Sequence, residues 1–307
     1  MNAKPLRFSS LSRANSLFLC CVAYAVAAAC AFGAGALVSG AHPLAVAAAA
    51  DVAATLVVFI FSVILDNSSV YDPYWSVAPI GIILYFAWQA PSSPDLRQGI
   101  VIALVCFWAI RLTWNWLLRW QGLKDEDWRY SDFRSNRAYW AVSFAGFHFF
   151  PTVAVFAGCL PLVPVFISSH AIGVIDALAV IVTCGSIIME MKADRDLRLF
   201  RRKPREQGEL LTNGIWSWCR HPNYFGEVAF WWGIGLFGLA ANLAYWWTMS
   251  GALIITALFL FISLPMMDRH MLKRYPGYSM RIKTVPAFLP FVMRRRKGSA
   301  TFSDSDT

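Results

Sequence analysis

An all-α polytopic membrane bundle of about eight transmembrane helices, with cytosolic termini, is the fold class this sequence predicts. Three observations predict it. Of the 307 residues, 58% are apolar and 15% charged, the mean hydropathy is +0.50, and apolar segments of spanning or near-spanning length recur along the chain. Soluble domains keep about a quarter of their residues charged. A membrane span takes about 20 apolar residues, so a single integral-membrane domain uses up most of the length.

The tail over residues 1–16 is basic and polar, and the apolar run 17–38 behind it is longer than a signal-peptide core, which predicts a retained first span. Further spans are predicted over 43–65, 74–90, 99–118, 139–163, 170–191, 224–241 and 243–265. The tight link at 241–243 predicts a helical hairpin, and Gly233, Gly235 and Gly238 make 224–241 the weakest span. The domain reading is therefore one integral-membrane unit over 17–293, followed by a disordered basic and polar tail over 294–307. The seven cysteines show no C-x-x-C spacing, so they read as small hydrophobes rather than a disulfide frame.

Charge sets orientation. With loops taken alternately from the N-terminal tail, the tail and the loops 66–73, 119–138 and 192–222 fall on one side together with the C-terminal tail. These segments hold 25 of the 27 lysines and arginines. The positive-inside rule then puts both termini and the 192–222 loop in the cytosol and requires an even number of spans. The formal charge of +9 is thereby explained without nucleic acid, and no obligate protein partner is implied.

Ionisable groups inside spans are functional candidates by default. Here they are Asp51, Arg111, His148, Asp176, Glu190 and Glu227. Asp51 and Asp176 stand near the non-cytosolic ends of their helices, where water accounts for them. Arg111 forms a polar stripe with Asn115 and Arg119, which suggests a cavity wall. Between the second and third spans, Tyr71 and Asp72 join an acid to a phenol at the mouth of the bundle, as a proton-donating site needs. The same aromatics also suit an interfacial belt.

The stretch 191–227 is the one long polar run between apolar segments. Its helix is expected to run until Pro204, placing Glu190, Asp194, Arg198, Arg201, Arg202 and Arg205 near one face. Clustered guanidinium groups suit phosphate oxygens, and equally anionic lipid headgroups. Pro222 then opens a new helix, with Asn223, Tyr224 and Glu227 close together on it. A helix N-terminus beside arginines is an anion site, so the stretch reads as a nucleotide pocket at the membrane surface. Gly233-Ile-Gly235-Leu-Phe-Gly238 has the spelling of a dinucleotide fingerprint but lies in an apolar helix without a preceding strand, so helix packing explains it. The five histidines lack metal-ligand spacing, and no metal is expected. The polar and aromatic segment after the last span, with Asp268, Tyr275 and Tyr278, is expected to fold back over the cytosolic face.

Asp194, Leu197-Arg198, Arg201 to Pro204, Gly214-Ile-Trp216, Arg220-His-Pro-Asn-Tyr-Phe-Gly-Glu227, Tyr275, Tyr278 and the Val285-Pro286 to Pro290 ending resemble the C-terminal region of the steroid 5-alpha-reductase family, in a branch of uncharacterised membrane proteins. The resemblance covers the C-terminal part, 170–293, well and the N-terminal half loosely. It implies an all-helical reductase that binds NADPH on the cytosolic side and passes hydride to a conjugated carbon–carbon double bond of a lipid or sterol-like substrate. Carried over by position, Asn223 and Glu227 hold the nicotinamide end, and Asp194, Arg198 and Arg201 surround the adenosine and phosphates. Arg111, Arg220, His221, Tyr224, Tyr275 and Tyr278 complete the cofactor set. Family reductases also polarise the substrate carbonyl with an acid and a tyrosine from early helices. No residue here matches those two by motif, and Tyr71 and Asp72 take the catalytic place by location and chemistry. Isoprenylcysteine carboxyl methyltransferases share an Arg-His-Pro-x-Tyr-x-Gly element but bind S-adenosylmethionine, a phosphate-free sulfonium for which the arginines are ill suited. A non-catalytic lipid-binding membrane protein is the third reading. The expected location is the endoplasmic reticulum in a eukaryote or the inner or plasma membrane in a bacterium.

Overall fold

The computed structural model describes residues 8, 10–91, 95–168, 170–204 and 208–289. Arg205, Pro290, the first seven residues and the tail 294–307 lie outside them. Among the described residues there is no strand, and the chain is an all-α polytopic membrane protein. The helices in order are α1 (Arg13–Leu37), α2 (Pro43–Ile64), α3 (Tyr74–Gln89), α4 (Leu96–Arg119), α5 (Tyr139–Ile167), α6 (Val174–Arg202), α7 (Pro222–Ala241), α8 (Leu243–Arg274) and the short α9 (Tyr278–Thr284).

Seven of these are long and apolar enough to span, against the eight expected. The difference is α3, a helix of 16 residues. At 1.5 Å per residue it reaches about 24 Å, short of a hydrocarbon core of about 30 Å. Pro91 sets its end: the residue before a proline is pushed out of helical space, and Ala90 is extended at φ −62°, ψ 138°.

The polar stretch behaves as its sequence predicts. Helix α6 runs unbroken for 29 residues and stops at Arg202, two residues before Pro204, with Arg201 and Arg202 in its last turn, where cations suit the helix dipole. Helix α7 begins at Pro222 and continues for 20 residues through all three glycines. The glycines let neighbours approach: a Cβ on Gly238 would stand 2.7 Å from Pro161 Cβ, and one on Gly251 would run into the Ala157 carbonyl.

The chain divides into two compact units: residues 1–181 with 231–255, and residues 182–230 with 256–307. The first unit packs Cys20, Ala23, Val58, Val70, Tyr71 and Leu123 in one buried cluster. It also holds a buried ion pair, in which Arg97 Nε and Nη2 donate to Asp176 at 2.6 and 2.9 Å while Nη1 and Nη2 donate to the His170 and Ala171 carbonyls. Water therefore does not account for Asp176. Its partner is an arginine that is only 1% exposed.

Candidate functional site

Chemistry-bearing side chains gather in two places, one in each unit. In the second unit, helix α6 carries Glu190, Asp194, Arg198 and Arg201 along one side, passing from a buried acid to an exposed guanidinium. Helix α7 meets α6 closely. A Cβ on Gly226 would lie 2.9 Å from Glu190 Cβ and 3.0 Å from the Ser186 carbonyl, so only glycine permits this approach. Asn223 and Glu227, one turn apart on α7, stand on either side of that glycine. Asn223 is half-buried and Glu227 buried.

The residues preceding α7 have a different job. Asp268 on α8 accepts from four donors: Arg220 Nη2 at 2.5 Å and Nε at 3.4 Å, His221 Nε2 at 2.8 Å, and Tyr278 OH at 2.6 Å. The main chain adds a strap, with the N–H groups of Arg220 and His221 donating to the carbonyls of Pro286 and Ala287 at 2.9 and 3.2 Å. Arg220 Nη1 also donates to the Val285 carbonyl at 2.8 Å, and Arg281 Nη2 to that of Trp216. The segment after α8 thus folds back within its unit, as expected. Burial pushes the His221 imidazole below its ordinary value, with the Asp268 carboxylate opposing. Burial pushes the Tyr278 phenol up. Three of the expected cofactor residues, Arg220, His221 and Tyr278, are thereby engaged in holding the loop. Tyr224 stacks on His221 at 5.4 Å, and Tyr275 lies under the Arg274 guanidinium at 5.9 Å. Asp268, the centre of this network, is named in the sequence only as part of the segment that folds back; the signal for its role is an acid in a helix turn otherwise rich in bases.

In the first unit the expected pair Tyr71 and Asp72 separates. The Tyr71 phenol is buried and bonded to Thr152 Oγ1 at 2.7 Å. The Asp72 carboxylate instead accepts from Tyr130 OH at 2.5 Å and lies 3.7 Å from Arg129 Nη2. Burial holds its pKa up at about 6, against the opposing pull of Arg129. Adjacent residues in this turn point to different partners, so neighbouring in sequence does not make them one site. A second acid–phenol pair does form: Tyr74 OH at the start of α3 donates to Asp51 Oδ1 of α2 at 2.7 Å, and both residues are buried. Asp51 is therefore not explained by water at a helix end. Arg111 stands half-buried on α4 in this unit, above the buried Asn115 and the exposed Arg119, whose Nε donates to the Asn115 carbonyl at 3.2 Å.

Residues 58–284 match the family described as Protein of unknown function (DUF1295). The chain belongs to this family. The DUF1295 match takes in Tyr74, Asn223, Glu227, Asp268 and Tyr278, while Asp51 precedes it. A relative from Schizosaccharomyces pombe, described as Uncharacterized protein C594.04c, is 24% identical over 256 residues, covering 75% of this chain and 74% of the relative. No solved structure gives a significant match.

Proposed function

We propose that this DUF1295 protein is an NADPH-dependent membrane reductase of a conjugated carbon–carbon double bond in a lipid or sterol-like substrate. The observation that carries the reading is the buried bond from Tyr74 to Asp51, an acid and a tyrosine from early helices. It takes over the catalytic role that the sequence assigned to Tyr71 and Asp72. The donor set of the second unit suits the cofactor: Arg198 and Arg201 offer guanidinium groups to phosphates, and Asn223 and Glu227 offer an amide and a carboxylate to a carboxamide or ribose hydroxyl. Arg220, His221 and Tyr278 hold the loop before α7 through Asp268.

Arg198, Arg201, Asn223 and Glu227 would hold NADPH, which would supply a hydride for the beta carbon of the enone. The chain's own part is to manage charge and protons. Tyr74, whose phenolic proton rests on Asp51, would turn that proton to a substrate oxygen as negative charge develops there, and a preorganised donor in a dry site is worth far more than one in water. Asp51 fixes the phenol's orientation and shares its proton.

The test is the melting temperature of the detergent-purified protein with NADPH, NADH or S-adenosylmethionine. The expected result is stabilisation by NADPH that is lost in Asn223→Ala and Glu227→Ala; ligand at 100 times its Kd adds about 2.7 kcal/mol to stability. Stabilisation by S-adenosylmethionine alone would make the protein a methyltransferase, and no shift with any of the three would favour lipid binding.

A further inference from the structure

The imidazole and hydroxyl groups around Tyr74 trace back to one irregularity in α5. At Ser143–Phe149 the helix winds as a π-turn, and the Phe150 N–H donates to the Ala145 carbonyl five residues back. Such turns inside α-helices are frequent at functional sites.

Here the turn fixes His148. The Ser143 carbonyl lies 2.9 Å from His148 Nδ1. A carbonyl only accepts, so Nδ1 carries the hydrogen, and Nε2 lies 3.1 Å from Ser62 Oγ, whose single hydrogen is shared between the ring nitrogen and the Val58 carbonyl at 3.0 Å. With both nitrogens engaged and no exposed surface, the ring has one orientation. It faces Tyr71 with centroids 4.7 Å apart.

The His148 carbonyl accepts from Thr152 Oγ1 at 2.9 Å. Thr152 has a single hydroxyl hydrogen, and with that engaged, the Tyr71 phenol at 2.7 Å and Thr55 Oγ1 at 2.9 Å must both donate to it. Tyr71 is therefore held at its ring by His148 and at its hydroxyl by Thr152. Tyr71 in turn packs on Tyr74, with centroids 5.2 Å apart, and Tyr74 is the donor to Asp51.

We propose that His148, in the π-turn of α5, and Thr152, in the α-helical turn that follows it, are positioning residues that set the Tyr74–Asp51 pair through Tyr71. This rests on the reading of that pair as the one that donates a proton to the substrate. A polar cluster serving only to hold α2 and α5 together predicts lost stability without a change at Tyr74, and that difference supplies the test.

The probe is the full chain in detergent with Tyr74 replaced by 3-fluorotyrosine, read by fluorine NMR, with circular dichroism and melting temperature as folding controls. The unaltered background should give one narrow resonance. Thr152→Val and His148→Phe should each shift or broaden it, and Thr152→Ser, which keeps the hydroxyl, should return it. His148→Gln, which keeps polar atoms in the ring's place, stands in if the phenylalanine variant does not fold. A lowered melting temperature with an unmoved resonance in Thr152→Val and His148→Gln would overturn the proposal. The readout uses neither cofactor nor substrate, so an absent NADPH shift in the earlier test would sink the reductase reading and leave this measurement standing.

Discussion

Asp72 illustrates what a half-buried loop residue does to stability. Its carboxyl has a folded-state pKa raised to about 6 by burial, against about 3.9 in an unfolded chain. The native state therefore binds the proton more tightly. The contribution is fully present below about pH 4 and is lost as pH rises through 6. Asp72→Asn mimics the neutral form, so the variant should gain melting temperature relative to the parent between pH 4 and pH 7; a constant difference across that range would contradict the assignment. Other residues show what could be read early. The alignment of Arg198 with Arg201, and of Asn223 with Glu227, was legible because each pair's spacing follows its own helix. Arg97 with Asp176, 79 residues apart, was not. Removing one partner of such a buried pair typically costs about 3–5 kcal/mol, because the other charge is left uncompensated.

Among the elements, α6 and α7 depend on one glycine for their contact. Gly226→Ala puts a methyl group 2.9 Å from Glu190 Cβ, and overpacking of this kind costs about 1–3 kcal/mol. We expect a lower melting temperature and a weakened NADPH shift, since Asn223 and Glu227 ride on the same turns. Gly185→Ala on α6 meets nothing within 4 Å and serves as the control. Alanine is the better helix former there by about 1 kcal/mol, so that variant should melt no lower than the parent. Helix starts and stops were legible from Pro204 and Pro222, because proline acts on its own neighbours. The π-turns of α5 and α8 carry no comparable local signal, since an extra residue in a turn is tolerated only where surrounding side chains accept it.

For the whole molecule, the parity of spans turns on one short helix. Among the described residues seven helices pass by length and composition, and α3 is the one that decides the count. A short helix can cross by local thinning of the bilayer at modest cost, and the basic residues are distributed as an even count requires. Reporters fused at the two termini should therefore both report the cytosol. A split result would remove α3 from the spans and reverse the side assigned to everything after it.

What the sequence determined by itself is the class of molecule, the place of each helix and the faces on which charges fall. Hydropathy and helical period depend only on nearby residues. What only the tertiary structure decided is which faces meet: Tyr74 with Asp51, Tyr130 with Asp72, and Arg220, His221 and Tyr278 around Asp268. A helix's period fixes which of its residues share a side. It leaves free how far the helix is turned toward its neighbours, and close packing within each unit settles that angle.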